Sequence, residues 1–265
     1  MCQLLGMNCN VPTDICFSFQ GFSQRGGITD THKDGWGIGF FEGAGARIFI
    51  DSKATIESPL AEFIKHYPIH SMNVIAHIRR ATQGAVALAN CHPFSREMWG
   101  QYWMFAHNGD LKGFYPSLAG HYRPVGATDS ERAFCYILDH LRQEFSAAPL
   151  NSSRLYPHLK RLADEISAYG RFNFLLSNGE LLYAHCWDNL SYVLRQPPFT
   201  TAHLVDQDVT VDFSTVTGPD DKAVIVATKP LTDDEEWVTM QPGELVVFHM
   251  GKPVLGIRAA AAEAA

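Results

Sequence analysis

The sequence lacks the features of proteins that bind nucleic acids or span membranes. It has no lysine- or arginine-rich run, and its formal net charge is −7, which argues against a nucleic-acid interface or a patch for anionic membranes. No stretch reaches the roughly 20 apolar residues of a membrane-spanning helix, and no apolar leader precedes the first basic residue, Arg25. We therefore expect a cytoplasmic protein.

Motifs for metals, nucleotides and disulfide frameworks are also missing. The six cysteines are spread along the chain without a C-x-x-C pair, a pattern typical of reduced thiols in a cytosolic protein. The histidines form no H-E-x-x-H motif, and the chain contains neither a P-loop nor a G-x-G-x-x-G sequence. The sequence therefore predicts no metal site and no cofactor.

Nothing in the sequence divides the chain into separate units. A length of 265 residues suits one large domain or two small ones, but there is no internal repeat and no Pro/Gly/Ser-rich linker. We predict a single domain over residues 1–265 and assign no role to the alanine-rich tail at 259–265.

Strand patterns at both ends of the chain flank a helical middle. The clearest helix covers 126–145, where Thr128 and Glu131 form a capping-box pattern before a one-sided apolar face. Further helices are predicted over 14–24 and about 152–168. Strands are predicted over 2–8, 35–43, 46–53, 73–82 and 102–110, and then over 171–179, 180–187, 190–196, 222–231 and 243–254. This order, without regular alternation, predicts an α+β fold with large antiparallel sheets covered by helices.

A cysteine stands second in the chain, directly before an apolar run (MCQLLGM). By itself it is compatible with an ordinary buried core residue. A small second residue also allows the initiator methionine to be removed, which would give Cys2 a free α-amine. That amine, with a reference pKa of about 7.7–8.0, could take the thiol proton directly or through one water, so Cys2 could act as a nucleophile without a histidine.

Polar clusters follow two of the predicted strands. Arg79 and Arg80 end an apolar strand, and because neighbouring side chains point to opposite faces, one can be solvated while the other needs an anion. Arginine is suited to a bidentate grip on a carboxylate. Asn108 and Gly109 are first of all a turn signal, but their side-chain amide and backbone N–H could also form an oxyanion hole.

Asp129 lies in the first turn of the clearest predicted helix, and the capping box leaves its carboxylate free. This carboxylate could compensate the helix dipole or bind a substrate ammonium. Together the clusters offer a nucleophile, an oxyanion hole, a carboxylate clamp and an ammonium clamp. Glutamine or another γ-glutamyl compound is the complementary ligand, since it has a zwitterionic end and a side-chain carbonyl.

The order of these motifs resembles that of the class II glutamine amidotransferases. The N-terminal cysteine is followed by HIRRATQG at 77–84, NCHPF at 90–94, HNGDL at 107–111 and TDSE at 128–131. The chain is similar to the stand-alone branch of that family, which includes uncharacterised bacterial proteins and hydrolases of γ-glutamyl bonds in thiol metabolism. The resemblance implies an N-terminal-nucleophile fold, a four-layer αββα sandwich with two stacked antiparallel sheets. It also implies hydrolysis through a γ-glutamyl thioester on Cys2.

The resemblance also implies a role for each motif residue. By position, Arg79 would bind the α-carboxylate of the substrate in a pocket lined by Thr82 and His92. Asp129 would bind the α-ammonium together with the Gly109 carbonyl. The implied catalytic residues are Cys2 as the nucleophile and Asn108 and Gly109 as the oxyanion donors.

Two positions depart from the family pattern. Arg80 stands where an aromatic residue is common, and Gln83 where histidine is common, which bears on the lid or the acceptor side of the pocket. Arg25 and Trp36 are expected to support the site rather than to contact substrate. No synthase, phosphoribosyl or sugar-isomerase sequence follows the motifs, so ammonia would have no channel within the chain.

Three functions stay open on the sequence alone. The leading hypothesis is a cysteine amidohydrolase that acts on glutamine or a γ-glutamyl amide and releases glutamate with ammonia or an amine. The second is a glutaminase subunit that passes ammonia to a separate synthase partner. The third is a non-catalytic sensor or scaffold that binds glutamine, which retention of Met1 would favour because it blocks the amine. The oligomeric state is left open.

Overall fold

The computed structural model describes residues 2–149 and 152–257. Met1 and the tail at 259–265 lie outside the described residues. No helix in the described ranges is long and apolar enough to cross a membrane.

The helices are α1 (Cys16–Gln24), α2 (Pro59–His66), α3 (Asp129–Glu144) and α4 (Leu155–Ser167). The strands are β1 (Gln3–Thr13), β2 (Trp36–Glu42), β3 (Gly45–Asp51), β4 (Ser71–Ile78), β5 (Phe94–Met98), β6 (Gln101–Leu111), β7 (Gly170–Ser177), β8 (Leu181–His185), β9 (Ser191–Arg195), β10 (Thr201–His203), β11 (Thr210–Asp212), β12 (Ala223–Ala227), β13 (Val238–Thr239), β14 (Leu245–His249) and β15 (Lys252–Leu255).

Two antiparallel sheets contain most of these strands. The first has seven strands in the order β13-β9-β12-β1-β4-β2-β3, and the second has six in the order β15-β14-β8-β7-β6-β5. β10 and β11 form a separate two-stranded ribbon. The connection between β7 and β8 is a tight hairpin turn at Asn178 and Gly179, with Gly179 at a φ of +92°.

Three hydrophobic clusters arrange these elements in four layers. The middle cluster lies between the sheets and joins Leu4 and Val224 of the first sheet to Ala106 and Leu175 of the second. A second cluster packs α1 and α2 on the outer face of the first sheet. The third packs α3 and α4 on the outer face of the second sheet. The resulting αββα sandwich confirms the predicted α+β class and the expected pair of stacked antiparallel sheets.

β1 occupies the centre of the first sheet, between β4 and β12. Leu5 lies opposite Ala227 on one side and Ala76 on the other. Because β1 begins at Gln3, Cys2 stands at the end of a strand that is fixed along both edges. Gln3 lies opposite Ile78, the last residue of β4, so the polar residues that follow β4 emerge beside Cys2.

The start of α3 has the Thr128 cap that the capping box predicts, but the Glu131 carboxylate bonds to other groups. Thr128 Oγ1 accepts a hydrogen bond from the Glu131 N–H at 3.2 Å, as expected of an N-cap. The Glu131 carboxylate accepts hydrogen bonds from the N–H groups of Val125 and Gly126 and forms an ion pair with Arg96 of β5. This buried carboxylate therefore ties both the preceding loop and a strand of the second sheet to the first turn of α3.

Several short elements are absent from the predictions. α2 has eight residues, too few for its periodicity to stand out, although Ser58 caps it and Pro59 occupies its first position. β5, β10, β11 and β13 are two to five residues long. The strand predicted over 243–254 is two strands, since Met250 and Gly251 adopt positive φ angles of 52° and 70° and turn the chain between them.

Truncation of one valine tests the assignment of the inter-sheet core. Val224 is fully buried between the sheets, whereas Val216 is 68% exposed. We predict that Val224→Ala lowers the free energy of unfolding by about 2 kcal/mol, because buried methyl groups are lost and a cavity is left. The control Val216→Ala should change it by less than about 0.5 kcal/mol. Urea unfolding monitored by circular dichroism measures both, and equal losses would contradict the assignment.

Candidate active site

The polar clusters meet at a small cavity beside Cys2. It has a volume of about 20 Å³ and lies between the end of β1, the loop after β4, the end of β6 and the start of α3. Among the residues that line it are six of the predicted site residues, namely Cys2, Arg79, Thr82, His92, Gly109 and Asp129. The seventh, Asn108, does not line the cavity; it is fully buried and precedes Gly109 in β6. The described site therefore brings six of the seven predicted catalytic and substrate-binding residues to one cavity.

Two hydrogen bonds to the backbone of Arg80 hold the Cys2 thiol. Its Sγ accepts a hydrogen bond from the Arg80 N–H and donates one to the Arg80 carbonyl, both at 3.3 Å. The Cys2 side chain is buried, and burial raises the pKa of its thiol. The thiol is therefore protonated at neutral pH and needs a base before it can act as a nucleophile.

Three buried histidines lie close to this cavity. His77 and His92 are in ring contact, with centroids 4.1 Å apart, and their ring nitrogens have no hydrogen-bond partner in the described part of the chain. Burial lowers the pKa of both imidazoles well below the usual value. His107 instead bonds to Ser130 Oγ at 2.8 Å and to the Arg171 carbonyl at 2.9 Å. At neutral pH the positive charge of this region is therefore carried by arginine.

The two adjacent arginines have opposite environments, as strand alternation predicts. Arg80 is exposed, whereas the Arg79 side chain is buried. The Arg79 guanidinium donates to the carbonyls of Gln83, Gly84 and Ala85 at 2.8, 3.1 and 3.0 Å. These neutral acceptors orient the guanidinium without neutralising it. No carboxylate of the described residues pairs with this buried charge, which is therefore available to an anionic ligand.

Asp129 occupies the first position of α3, after the Thr128 cap. Its Oδ2 accepts a hydrogen bond from the Leu111 N–H at 2.8 Å, and its Oδ1 lies 3.4 Å from Ser130 Oγ. The carboxylate is buried, lines the cavity, and has no cationic partner among residues 2–149 and 152–257. The Asp129 carboxylate and the Arg79 guanidinium thus both line one cavity, and neither is paired with an opposite charge in the described residues.

Close backbone contact makes glycine necessary at position 109. A Cβ atom there would lie 1.8 Å from the Arg171 carbonyl oxygen and 2.4 Å from His107 Nε2. Strand alternation places Asn108 on the face opposite to His107. Asn108 therefore points into the layer between the sheets, where its Nδ2 lies 3.4 Å from Thr228 Oγ1.

Three lining residues received no role in substrate binding or catalysis from the sequence. His107, Thr128 and Ser130 line the cavity, and each belongs to one of the quoted motifs, so motif membership was an available signal. Gln83 also lines it and donates a hydrogen bond from Nε2 to Asp110 Oδ1 at 2.6 Å. This bond joins the loop after β4 to the end of β6, so Gln83 closes one side of the cavity.

Arg25 and Trp36 do not line the cavity. Arg25 forms an ion pair with Asp206 and donates to the carbonyls of Lys229 and Pro230. Trp36 packs on Phe19 with ring centroids 5.7 Å apart. No group of three or more His, Cys, Asp or Glu side chains in the described chain is arranged to hold a metal ion.

Comparison with known proteins identifies the family. Residues 1–264 match the family described as "Glutamine amidotransferases class-II". The chain belongs to the class II glutamine amidotransferases. The Escherichia coli protein named "Putative glutamine amidotransferase YafJ" is 50% identical over 255 residues, which cover 96% of this chain and 100% of that protein. A "Putative glutamine amidotransferase" of Haemophilus influenzae is 51% identical and is covered over 86% of its length, against 96% of this chain.

Solved structures agree with this membership. A crystal structure described as a predicted glutamine amidotransferase from Pseudomonas aeruginosa has a TM-score of 0.76 and 42% identity, with coverage of 95% of this amidotransferase and 99% of that chain. The phosphoribosylpyrophosphate amidotransferase of Bacillus subtilis has a TM-score of 0.55 and 14% identity, over 93% of this chain and 47% of that one. The second likeness concerns the fold alone.

Loss of the Gln83–Asp110 bond should open the cavity. We predict that Gln83→Ala raises the rate at which iodoacetamide alkylates Cys2 several-fold, because the loop after β4 loses its tie to β6. Mass spectrometry of peptides measures alkylation at each cysteine, and the half-buried Cys16 serves as an internal reference. Gln143→Ala, at an exposed position of α3, is the matched control. An unchanged Cys2 rate in Gln83→Ala would contradict the closing role.

Proposed function

We propose that this amidotransferase hydrolyses glutamine, or another γ-glutamyl amide, through a γ-glutamyl thioester on Cys2. The observation that carries the proposal is the pair of buried opposite charges, Arg79 and Asp129, on the walls of the cavity that also exposes the thiol. Arg79 would bind the α-carboxylate, with Thr82 and His92 beside it, and Asp129 the α-ammonium. A ligand held at both ends of its zwitterion would present its side-chain amide to the sulfur.

The α-amine of Cys2, freed by removal of Met1, is the base in this proposal. The thiol is bonded to the backbone of Arg80, and the nearby imidazoles either bond elsewhere or have no partner within the described residues. An α-amine with a reference pKa of about 7.7–8.0 is partly unprotonated at neutral pH. It is also attached to the same residue as the sulfur, so its position needs no further element of the fold.

The reaction consists of two displacement steps. The amine takes the proton from Sγ, and the sulfur attacks the side-chain carbonyl carbon of glutamine. The Asn108 amide and the Gly109 N–H stabilise the oxyanion that forms. The protonated amine then gives its proton to the leaving nitrogen, the C–N bond breaks, and ammonia leaves a thioester. Water, deprotonated by the same amine, attacks the thioester, the C–S bond breaks, and glutamate leaves as the sulfur regains its proton.

Substrate binding requires the site to open. A cavity of about 20 Å³ holds roughly one water molecule, far less than glutamine occupies. The loop after β4 is held over the cavity through the carbonyls bonded by Arg79 and through Gln83. The carboxylate of a bound substrate could compete for the same guanidinium, so binding would rearrange this loop.

Replacement of Cys2 tests the nucleophile. We predict that Cys2→Ala releases no glutamate above background and retains the wild-type circular dichroism spectrum, because the thiol is removed without loss of a strand. Cys9→Ala, at another buried position of β1, is the control and should keep its activity. Both are measured with an assay coupled to glutamate. Substantial glutaminase activity in Cys2→Ala would rule out the proposed mechanism.

Replacement of Asn108 tests the oxyanion donor. We predict that Asn108→Ala lowers kcat by about 10²–10³-fold. KM should change much less, because the amide contacts charge that develops only during the reaction. Initial-rate kinetics with glutamine separate the two constants. A variant with an unchanged kcat and a raised KM would show that Asn108 binds the ground state instead.

A further inference from the structure

We propose that Thr228 is a positioning residue that holds the Asn108 amide with its NH2 group free for the oxyanion. This inference rests on the proposed role of Asn108. Thr228 directly follows β12, and its side chain is buried between the two sheets. Its Oγ1 accepts a hydrogen bond from the Leu4 N–H at 2.9 Å and lies 3.4 Å from the Asn108 side-chain amide. One hydroxyl therefore touches both the strand that carries Cys2 and the candidate oxyanion donor.

The hydrogen-bond balance of this contact selects the orientation of the amide. With Nδ2 of Asn108 facing Thr228, the hydroxyl accepts two hydrogen bonds. In that orientation the Asn108 Oδ1 is buried without a partner among the described residues, and an unpaired buried acceptor costs about 1–3 kcal/mol. The hydroxyl hydrogen of Thr228 also has no acceptor within residues 2–149 and 152–257 in this arrangement.

Rotation of the amide by 180° satisfies both groups, since the two ends of an amide have nearly the same shape. Oδ1 then faces Thr228, whose hydroxyl donates to it while still accepting from the Leu4 N–H. The resulting chain runs from the Leu4 N–H to Thr228 Oγ1 and on to Asn108 Oδ1. The NH2 group then takes the position where Oδ1 had no partner, so neither of its hydrogens has an acceptor among the described residues and both are free for a ligand.

This orientation matters because a carbonyl oxygen in place of the NH2 group would repel the oxyanion. The backbone of Asn108 is fixed separately, since the Asn173 side chain donates to its carbonyl at 3.2 Å. The backbone therefore stays in register whichever way the amide faces, and Thr228 decides the direction of its side chain. The same hydroxyl also accepts a hydrogen bond from Leu4, two residues from Cys2. It therefore links the position of the Asn108 amide to the strand next to the nucleophile.

The test compares Thr228→Val, which keeps the shape and removes the hydroxyl, with Thr228→Ser, which keeps the hydroxyl. We expect Thr228→Val to lower kcat for glutamine about tenfold, the equivalent of one hydrogen bond, with little change in KM. Thr228→Ser should restore kcat. Thr232→Val removes another buried, hydrogen-bonded threonine hydroxyl outside the cavity and should keep the wild-type kcat.

A double variant separates positioning from general damage. If Thr228 acts through Asn108, Thr228→Val should have no further effect on kcat in the Asn108→Ala background. The rate of Cys2 alkylation in Thr228→Val should match that of the wild type. An additive loss, a failure of serine to rescue, or a wild-type kcat in Thr228→Val would each overturn the inference. A wild-type kcat in Asn108→Ala would instead overturn the proposed role of Asn108 as the oxyanion donor, and glutaminase activity in Cys2→Ala would overturn the proposed function.

Discussion

Hydrogen bonding of the first strand along both of its edges fixes the position of Cys2. β1 lies in the middle of a seven-stranded sheet, with β4 on one side and β12 on the other. A residue near a chain terminus is usually poorly ordered unless its neighbours tie it down. Here the hydrogen-bonded strand begins at Gln3, one residue after Cys2. The antiparallel partners deliver Arg79 from β4 and Thr228 from β12 to the same end of the sandwich, so one pairing pattern assembles much of the site.

The two buried charges of the site, Arg79 and Asp129, have no charged partner among the described residues, and under the proposed function they pair with a ligand. Arg79 is oriented by neutral carbonyls, and Asp129 by a backbone N–H and a hydroxyl. Each buried charge is expensive without a partner, and a zwitterion supplies both partners at once. The second sheet contributes the two candidate oxyanion donors. Gly109 lines the cavity, and the Asn108 side chain points into the layer between the sheets.

Much of this arrangement could be predicted from the sequence, because its signals are local. Strand alternation predicts that one of Arg79 and Arg80 is buried, and Thr128 marks the start of α3. The resemblance supplied the fold and grouped residues that lie more than 100 positions apart. The contacts that no local pattern encodes were missed. Thr228 bonds to residues 224 and 120 positions away, and the bond of Gln83 to Asp110 depends on how two loops meet.

A glutamine-analogue diazo-ketone would show whether Cys2, with its own α-amine, is the reactive group. Intact and N-terminal mass spectrometry after exposure to this electrophile reports methionine removal and the labelled residue together. We predict one label per chain, on the sulfur of Cys2, in protein that has lost Met1. A label on another of the six cysteines, or labelling of Cys2 at full rate in protein that retains Met1, would contradict it.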